Sequence, residues 1–294
     1  MKLIDSLRAR LRRFDSLELR FERVQEALGR IEARQLAGER GAELRKSEFR
    51  TFSQWGEDGI IQRLVHTVPI ERKLFVEFGV QDYSESNTRF LLLNDNWSGL
   101  VMDGDEANIA AIRRSDLFWR HNIKAQRAFV TRENIDELLR GNGVEGDIGL
   151  LSIDIDGNDY WVWEAISSIA PRIVIAEYNA RFGPQRAVTI PYDPAFTRQR
   201  AHYSMIYYGA SLAALTQLGK RKGYALVGCN SAGNNAFFVR RDCMPASLSE
   251  RSAESAYVAS AFREARDEQG RLQFLSPEEE SRLLRELPLV EVEG

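Results

Sequence analysis

The chain has 294 residues, of which 44% are hydrophobic and 28% charged, as expected for a soluble protein with one large domain plus appendages. A net charge of −3 gives no general attraction to nucleic acid, and no apolar run approaches the roughly 20 residues that a membrane-spanning helix needs. The charged start of the sequence does not resemble a secretory signal, and two isolated cysteines, Cys229 and Cys243, argue against a disulfide framework or a zinc site. These features predict a cytoplasmic protein.

Residues 1–46 are predicted to form a helix of the coiled-coil type. Apolar residues follow alternating steps of three and four, interrupted by Arg10 at one d position; they are Leu3, Leu7, Phe14, Leu17, Phe21, Val24, Leu28 and Ile31. Roughly four heptads of this spacing predict a homo-oligomer. One alternative is an amphipathic helix that lies on its own domain. Another is that basic residues rest on anionic lipid, peripheral to the inner membrane; they are Lys2, Arg8, Arg10, Arg12 and Arg13.

Strand and helix patterns alternate through residues 47–245. The predicted strands are residues 73–80, 98–105, 122–130, 147–156 and 171–180. The predicted helices are residues 87–94, 133–141, 159–169 and 211–223. Residues 224–242 hold two strands too close together for a crossover helix, so these should pair antiparallel. The pattern predicts an α/β fold with a seven-stranded, mostly parallel sheet and helices on both faces, followed by a charged, partly helical appendage at residues 246–294.

The turn after the first predicted strand, VEFGVQDYSESNT, contains one glycine and neither GxGxxG nor a P-loop. An acid, Glu77, stands two residues before Gly79, and the second strand ends in Asp103, which suits the hydroxyls of a ribose. An adenosine cofactor without a pyrophosphate points to S-adenosylmethionine. The alternative is that Gly79 is only a turn glycine and the acids are solvated strand ends.

Four segments together resemble the FkbM-type S-adenosylmethionine-dependent methyltransferases over residues 53–242: SQWGEDGII, VEFGVQDYSESNTRFLL, WSGLVMDGD and LLSIDIDGNDYWVWEAI. The resemblance implies the Rossmann-like class I methyltransferase fold and O-methylation, commonly of sugars. It also implies seven cofactor-binding residues, which are Gln54, Glu77, Gly79, Ser86, Asn87, Thr88 and Asp103. By this likeness, Gln54 lies over the methionine end of the cofactor and Asp103 binds its ribose.

Acids follow two neighbouring strands in the predicted sheet. Asp154 ends the fourth strand, and Glu177 and Asn179 end the fifth. Adjacent strand ends lie about 5 Å apart, so these three side chains are expected to converge on Mg²⁺ or another divalent cation. A sugar hydroxyl is a poor nucleophile and needs a base, a metal ion or both. In this interpretation Asp159, later in the same segment, caps the helix that follows.

The acids also look like those of the macrocin-type, metal-dependent sugar O-methyltransferases, which carry an Asp-x-Asp after the fourth strand. That likeness implies that Asp154 is a metal ligand and Asp156 the catalytic base. The chain departs from the pattern after the fifth strand, where Glu-Tyr-Asn replaces two adjacent acids, and FkbM-type relatives need not use a metal. His202 is a second candidate for the base.

Residues 180–210 are predicted to be a loop-like insertion. Arginines and tyrosines in it suit a phosphorylated or acidic saccharide acceptor; the arginines are Arg181, Arg186, Arg198 and Arg200. A solvated lid with core-packed tyrosines is the alternative. The sequence therefore predicts an O-methyltransferase for a sugar hydroxyl, in glycan or cell-surface polysaccharide biosynthesis. The alternatives are a natural-product tailoring methyltransferase, or a non-catalytic scaffold that recruits glycan-assembly partners through its coiled coil.

Overall fold

A computed structural model describes residues 2–37 and 43–293, and within the first helix it describes the side chains of Leu17 and of Arg20 onward. The helices, in chain order, are α1 (Lys2–Leu36), α2 (Glu57–Thr67), α3 (Arg89–Asp95), α4 (Glu106–Arg114), α5 (Asp116–Arg120), α6 (Ile135–Gly141), α7 (Asp159–Ala165), α8 (Arg198–Ala201), α9 (Leu212–Arg221), α10 (Ala253–Ala256) and α11 (Pro277–Arg285). Within the described ranges, none of these helices combines the length and the apolar character needed to cross a membrane.

The strands form one large sheet and one small one. They are β1 (Leu74–Phe78), β2 (Ser98–Asp103), β3 (Ile123–Arg127), β4 (Gly146–Ile153), β5 (Ile169–Glu177), β6 (Val188–Thr189), β7 (Tyr224–Cys229), β8 (Asn235–Arg240) and β9 (Val290–Glu291). The large sheet has seven strands in the order β3-β2-β1-β4-β5-β8-β7, and β6 pairs with β9 in the small sheet. Neighbours from β3 to β5 are parallel, whereas β8 runs antiparallel to both β5 and β7.

This strand order is that of the class I methyltransferase fold, so the predicted fold class is confirmed, including the antiparallel hairpin at the end. The order reverses between β1 and β4. In open α/β sheets, ligands bind outside the carboxyl ends of the strands at such a switch point. The candidate site is therefore expected where Phe78 and Ile153 end the two strands.

Both faces of the large sheet are buried, which explains why its strands read as continuous apolar runs. Successive residues of a strand point to opposite faces. Phe75 and Leu150 accordingly face α2, α3 and α4, whereas Val76 and Leu151 face α6, α7 and α9. Because helices cover both faces, the sheet positions the side chains at the strand ends.

Within the predicted N-terminal helix, Lys2–Leu36 form α1. Its C-terminal half docks on the body, where an added Cβ at Gly29 would lie 2.2 Å from Thr51 Oγ1. Glu22 forms an ion pair with Arg89 beside this contact. The structure does not describe the side chains of residues 1–16. The predicted apolar positions up to Phe14, and the basic residues of the lipid alternative, therefore lie outside the described side chains.

The C-terminal segment, predicted to be an appendage, packs on the insertion between β5 and α9. Leu284 of α11 and Ala265 share an apolar cluster with Phe182 and Ile206 of the insertion. The tie is reinforced because β9 pairs with β6. The segment is charged in sequence, but its apolar residues pack on the insertion and so join it to the domain.

Candidate functional site

A cleft with two adjoining cavities lies at the carboxyl ends of β1, β2, β4 and β5. The larger cavity, of about 720 Å³, extends towards β2 and β3. The smaller cavity, of about 430 Å³, extends towards β5 and the C-terminal segment. The two share wall residues, which are Gly79, Gln81, Asp154, Asp156 and Arg198. A ligand can therefore span both cavities by passing over the turn that follows β1.

Gly79 forms that turn with φ +73°, a backbone conformation that side chains with a Cβ rarely adopt. A Cβ at this position would lie 1.7 Å from the carbonyl oxygen of Asp154. The chain after β1 thus passes directly across the end of β4, and only glycine fits. In the structure, the turn thus lies against the backbone of the acid segment.

The carboxylate of Glu77 organises the loop that opens α3. It accepts hydrogen bonds from the hydroxyls of Ser86 and Thr88 and from the backbone N–H groups of Asn87 (2.9 Å) and Thr88 (3.1 Å). Burial raises the pKa of Glu77, and these hydrogen bonds oppose the rise. Three of the predicted cofactor residues, Glu77, Ser86 and Asn87, therefore form one hydrogen-bonded unit on the wall of the smaller cavity.

Asp103, at the end of β2, lies on the wall of the larger cavity. Its Oδ1 accepts hydrogen bonds from the N–H of Asp105 (2.8 Å) and from Asn108 Nδ2 (3.0 Å), and its Oδ2 accepts one from the N–H of Gln81 (2.8 Å). A carboxylate oxygen can accept two hydrogen bonds, so Oδ2 retains an acceptor position for a ligand hydroxyl. The half-exposed ring of Phe129 lines the same cavity.

Three acids meet at the ends of β4 and β5. Carboxylate oxygens of Asp154, Asp159 and Glu177 lie within 4.8 Å of one another. Burial, and next the charge of Asp156, raises the pKa of Asp154, while burial, and next Asp154, raises that of Glu177. Burial also raises the pKa of Asp159 to about 6. Like charges this close require protons or a cation between them.

One oxygen in this cluster is unsatisfied. Glu177 Oε2 is buried and has no hydrogen-bond partner among the described residues. An unpaired buried carboxylate oxygen is unfavourable, so the position calls for a donor or a cation. Carboxylate oxygens are the ligands that Mg²⁺ and Ca²⁺ prefer. The donor set therefore fits a hard divalent cation.

Asp159 has a different place from the predicted helix cap. The helix α7 begins at Asp159 itself, and Asn158 is the N-cap residue. The carboxylate of Asp159 instead accepts hydrogen bonds from the backbone N–H groups of Ile155 and Gly157, both at 2.9 Å. The prediction of a cap was wrong because the side chain turns back to close the tight turn before α7, which brings it into the acid cluster.

Asn179 does not join the acids as predicted. Its Oδ1 accepts a hydrogen bond from the N–H of Arg181 at 3.2 Å. Its Nδ2 donates to the carbonyl oxygens of Ile206 (2.8 Å) and Tyr208 (3.1 Å). This side chain therefore anchors the insertion, and Asp159 takes the third position in the cluster, which was predicted for Asn179.

Asp156 stands at the junction of the two cavities in a left-handed backbone conformation, with φ +54°. Its carboxylate is half exposed and accepts a hydrogen bond from Arg198 Nη1 at 2.8 Å. Arg198 also pairs with Glu264 from the C-terminal segment and lies 4.0 Å above the ring of Tyr208. The candidate base is thus exposed to a ligand and held by an arginine that the insertion and the C-terminal segment position together.

The insertion arginines are largely paired within the protein. Arg181 is buried between Glu264 and Glu280, with ion-pair distances of 2.8 and 2.9 Å. Arg186 pairs with Glu291 at 2.6 Å. These contacts give the arginines a structural role in joining the insertion to the C-terminal segment.

His202, the second candidate for the base, lies apart from the acids. Its Nδ1 is 2.7 Å from Ser204 Oγ, and burial lowers its pKa. It is not among the residues that line the larger or the smaller cavity. The cleft geometry favours Asp156 over His202 for contact with a ligand.

The N-terminal part of the cleft is fixed by two buried acids at the start of α2. Asp58 Oδ2 accepts hydrogen bonds from three consecutive backbone N–H groups, those of residues 51–53. Glu57 Oε1 accepts from Asn230 (2.7 Å) and Asn235 (2.9 Å) in the β7–β8 hairpin. These bonds place the intervening Gln54 and Trp55 on the wall of the smaller cavity.

Residues that sequence reasoning did not assign complete this wall. The ring of Trp55 stacks on that of Phe262, with centroids 5.3 Å apart and planes at 17°. Arg263 and Glu264 follow in the same stretch and also line the smaller cavity. Phe262 to Glu264 belong to no recognisable sequence motif. The stack of Trp55 on Phe262 joins residues more than half of the chain apart, so the local sequence contains no signal that predicts it.

No protein-family model matches the sequence, and no curated protein sequence matches it significantly. Among solved structures, the chain is similar to the N-terminal domain of EvdMO1 with SAH bound (11% identity, TM-score 0.40, over 62% of this chain and 79% of that one). It is also similar to M. capricolum TrmK in complex with S-adenosyl-homocysteine (8%, 0.35, 61% and 65%). A third is an S-adenosylmethionine-dependent methyltransferase from Clostridium acetobutylicum ATCC 824 (10%, 0.37, 62% and 89%). These likenesses are weak, and the fold is assigned on the strand order.

Proposed function

We propose that the protein is an S-adenosylmethionine-dependent O-methyltransferase that acts on a sugar hydroxyl, with glycan or cell-surface polysaccharide biosynthesis as its expected setting. One observation carries the proposal. The turn at Gly79 separates a cavity suited to a nucleoside, beside Asp103, from a cavity that contains an exposed carboxylate, Asp156, beside a buried acid cluster. A methyl donor that spans the turn would present its reactive carbon to the acids.

In this proposal the larger cavity takes the adenosine of the cofactor. Asp103 Oδ2 accepts a hydrogen bond from a ribose hydroxyl, and the ring of Phe129 offers an apolar surface to the adenine. The methionine end crosses Gly79 into the smaller cavity, where Gln54 lies on the wall. Glycine is needed at position 79 for the turn itself, because an added Cβ would collide with the carbonyl oxygen of Asp154.

The acceptor occupies the smaller cavity. Its hydroxyl oxygen attacks the methyl carbon of the sulfonium, the carbon–sulfur bond breaks, and S-adenosylhomocysteine leaves as a neutral thioether. Asp156 takes the hydroxyl proton, because it is the exposed carboxylate at the junction of the cavities. Aromatic faces bind sugar rings, so the stacked pair of Trp55 and Phe262 is the proposed platform. Arg263 lines the smaller cavity, with its guanidinium 4.9 Å from the centre of the Phe274 ring, and would hold an acidic or phosphorylated group of the acceptor.

The acid cluster is proposed to hold a divalent cation through Asp154, Asp159 and Glu177. The unpartnered Glu177 Oε2 supports this assignment. When bound, such a cation would polarise the acceptor hydroxyl and favour loss of its proton. The residues themselves orient the cation: Asp159 is fixed by two backbone N–H groups, and Glu177 by the end of β5.

Calorimetry with S-adenosylmethionine and S-adenosylhomocysteine tests the cofactor. We expect binding by the wild-type chain and clearly weaker binding by Asp103→Ala, while the matched surface variant Asp116→Ala binds like wild type. Absence of heat with millimolar cofactor would reject the proposal. Mass spectrometry of candidate saccharides incubated with enzyme and cofactor then tests the acceptor, through the gain of one methyl group.

A further inference from the structure

The described part of α1 carries an apolar seam that the body of the protein leaves uncovered. We define the seam as Leu17, Phe21, Val24, Leu28 and Ile31. All are exposed, from 43% at Leu17 to 68% at Phe21. At 100° per residue the five positions lie within about 40° of one direction around the helix. A contiguous exposed apolar surface of this kind marks an interaction site.

The opposite side of the same helix is the one that contacts the body. Gly29 is buried against Phe90, Glu22 pairs with Arg89, and Arg30 Nε donates to Asn94 Oδ1 at 3.2 Å. The seam therefore points away from the domain. The docked side fixes the orientation of the helix, so the seam stays available for a partner.

The spacing of the seam selects a helical partner. Alternating steps of three and four give a narrow stripe that fits the seam of another helix with the same spacing, whereas a helix buried on a globular surface needs an apolar face wider than about 100°. The heptad that has Phe21 and Leu28 at a continues in the sequence towards the N-terminus. The helix α1 of a second copy of this chain has the same spacing of apolar residues, so a second copy is the partner that fits the seam.

Charge indicates how two copies would align. In the described part of this heptad, the charged residues at g positions are Arg20 and Arg34, and the charged residue at an e position is Glu32. In a parallel pair, the basic g positions of one copy face the e positions of the other. In an antiparallel pair e faces e and g faces g, which brings like charges together. We propose that α1 joins copies of this chain in a parallel, in-register coiled coil.

Light scattering of the full chain tests the association. We expect an oligomeric mass for wild type and a monomeric mass for the double variant Phe21→Glu, Leu28→Glu, whose positions are exposed. Arg23→Glu, on an exposed position away from the seam, should keep the wild-type mass. A monomeric wild-type chain would overturn the proposal, in favour of a lipid surface if it binds phosphatidylglycerol vesicles and of a different protein partner if it does not.

Cysteine cross-linking tests the alignment. In a Cys243→Ser background, Val24→Cys places thiols at a d position, where in-register parallel copies meet, and mild oxidation should give a covalent dimer. Arg23→Cys should not cross-link, because its position faces away from the seam. Association without cross-linking of Val24→Cys would overturn the parallel, in-register arrangement.

Discussion

Arg198 Nη1 lies 2.8 Å from Asp156 Oδ1 and so links the proposed base to the far end of the chain, because the same guanidinium pairs with Glu264. Asp156 belongs to the turn after β4, Arg198 to the insertion and Glu264 to the C-terminal segment. The sheet alone would leave Asp156 solvated. The insertion and the C-terminal segment fix the position of the Asp156 carboxylate, which stays half exposed and faces both cavities.

The first prediction concerns Asp156. The substitution Asp156→Asn preserves shape but cannot accept a proton, so turnover should fall by about 10²- to 10⁴-fold while cofactor affinity stays unchanged. Steady-state rates together with calorimetry measure the two effects. Asp116→Asn, on the surface of α5, should behave like wild type. Activity of Asp156→Asn near that of wild type would exclude the role.

The second prediction concerns Glu264. Glu264→Gln removes the negative charge that pairs with Arg198. The guanidinium should then be misplaced, and kcat should fall by about 10- to 100-fold without a change in cofactor affinity. Steady-state rates and calorimetry with the cofactor measure the two effects.

Glu280→Gln is the matched control for Glu264. Glu280 also pairs with the buried Arg181, but it does not contact Arg198. Both variants should lose stability in thermal unfolding, and only Glu264→Gln should lower kcat at saturating cofactor. Equal values of kcat for the two variants would mean that Glu264 has only a structural role.

The third prediction concerns the acid cluster. Divalent cation in excess should raise the free energy of unfolding of the wild-type chain, by about 2.7 kcal/mol at one hundred times Kd. Glu177→Gln should abolish that gain and, because it removes a buried like charge, should be at least as stable as wild type without metal. Unfolding of chelator-treated protein with and without Mg²⁺ or Mn²⁺ measures this. Glu137→Gln, exposed on α6, should retain the gain, and a loss there would show a non-specific effect of charge.

The sequence was sufficient for what depends on periodicity and on strand ends. Asp103 and Asp154 terminate apolar runs, and parallel strands bring such ends to one edge, so their place in the cleft followed from the pattern. Asp159 and Asn179 were misassigned because each side chain could satisfy more than one local hydrogen-bond pattern, and only the folded turn decides which. Phe262 and Glu264 could not be placed, since their contacts cross long stretches of chain and arise from tertiary packing.

The fourth prediction concerns Asp58. Burial raises its pKa from 3.8 to about 6, although three backbone N–H groups favour the ionised form. A carboxyl with a raised pKa in the folded state contributes stability that is complete below the unfolded value and is lost as pH rises through the folded value. The free energy of unfolding of wild type should therefore fall relative to Asp58→Asn between about pH 4 and pH 6. Denaturant titrations across this range measure the difference, and a constant difference would contradict the assignment.

The fifth prediction separates backbone strain from close approach at Gly79. Gly79 and Gly143 have nearly the same φ, +73° and +74°, but an added Cβ meets the Asp154 carbonyl at 1.7 Å in the first case and nothing within 4 Å in the second. Gly143→Ala should therefore lower the free energy of unfolding by only about 1 kcal/mol, the strain of a left-handed alanine. Gly79→Ala should cost about 1–3 kcal/mol more, because the turn must move off the end of β4. That movement displaces the shared wall of both cavities, so cofactor affinity should fall in Gly79→Ala and stay at the wild-type value in Gly143→Ala. Equal losses of stability in the two variants would mean that the turn yields without disturbing the acid segment, and the cleft would then tolerate a side chain at its centre.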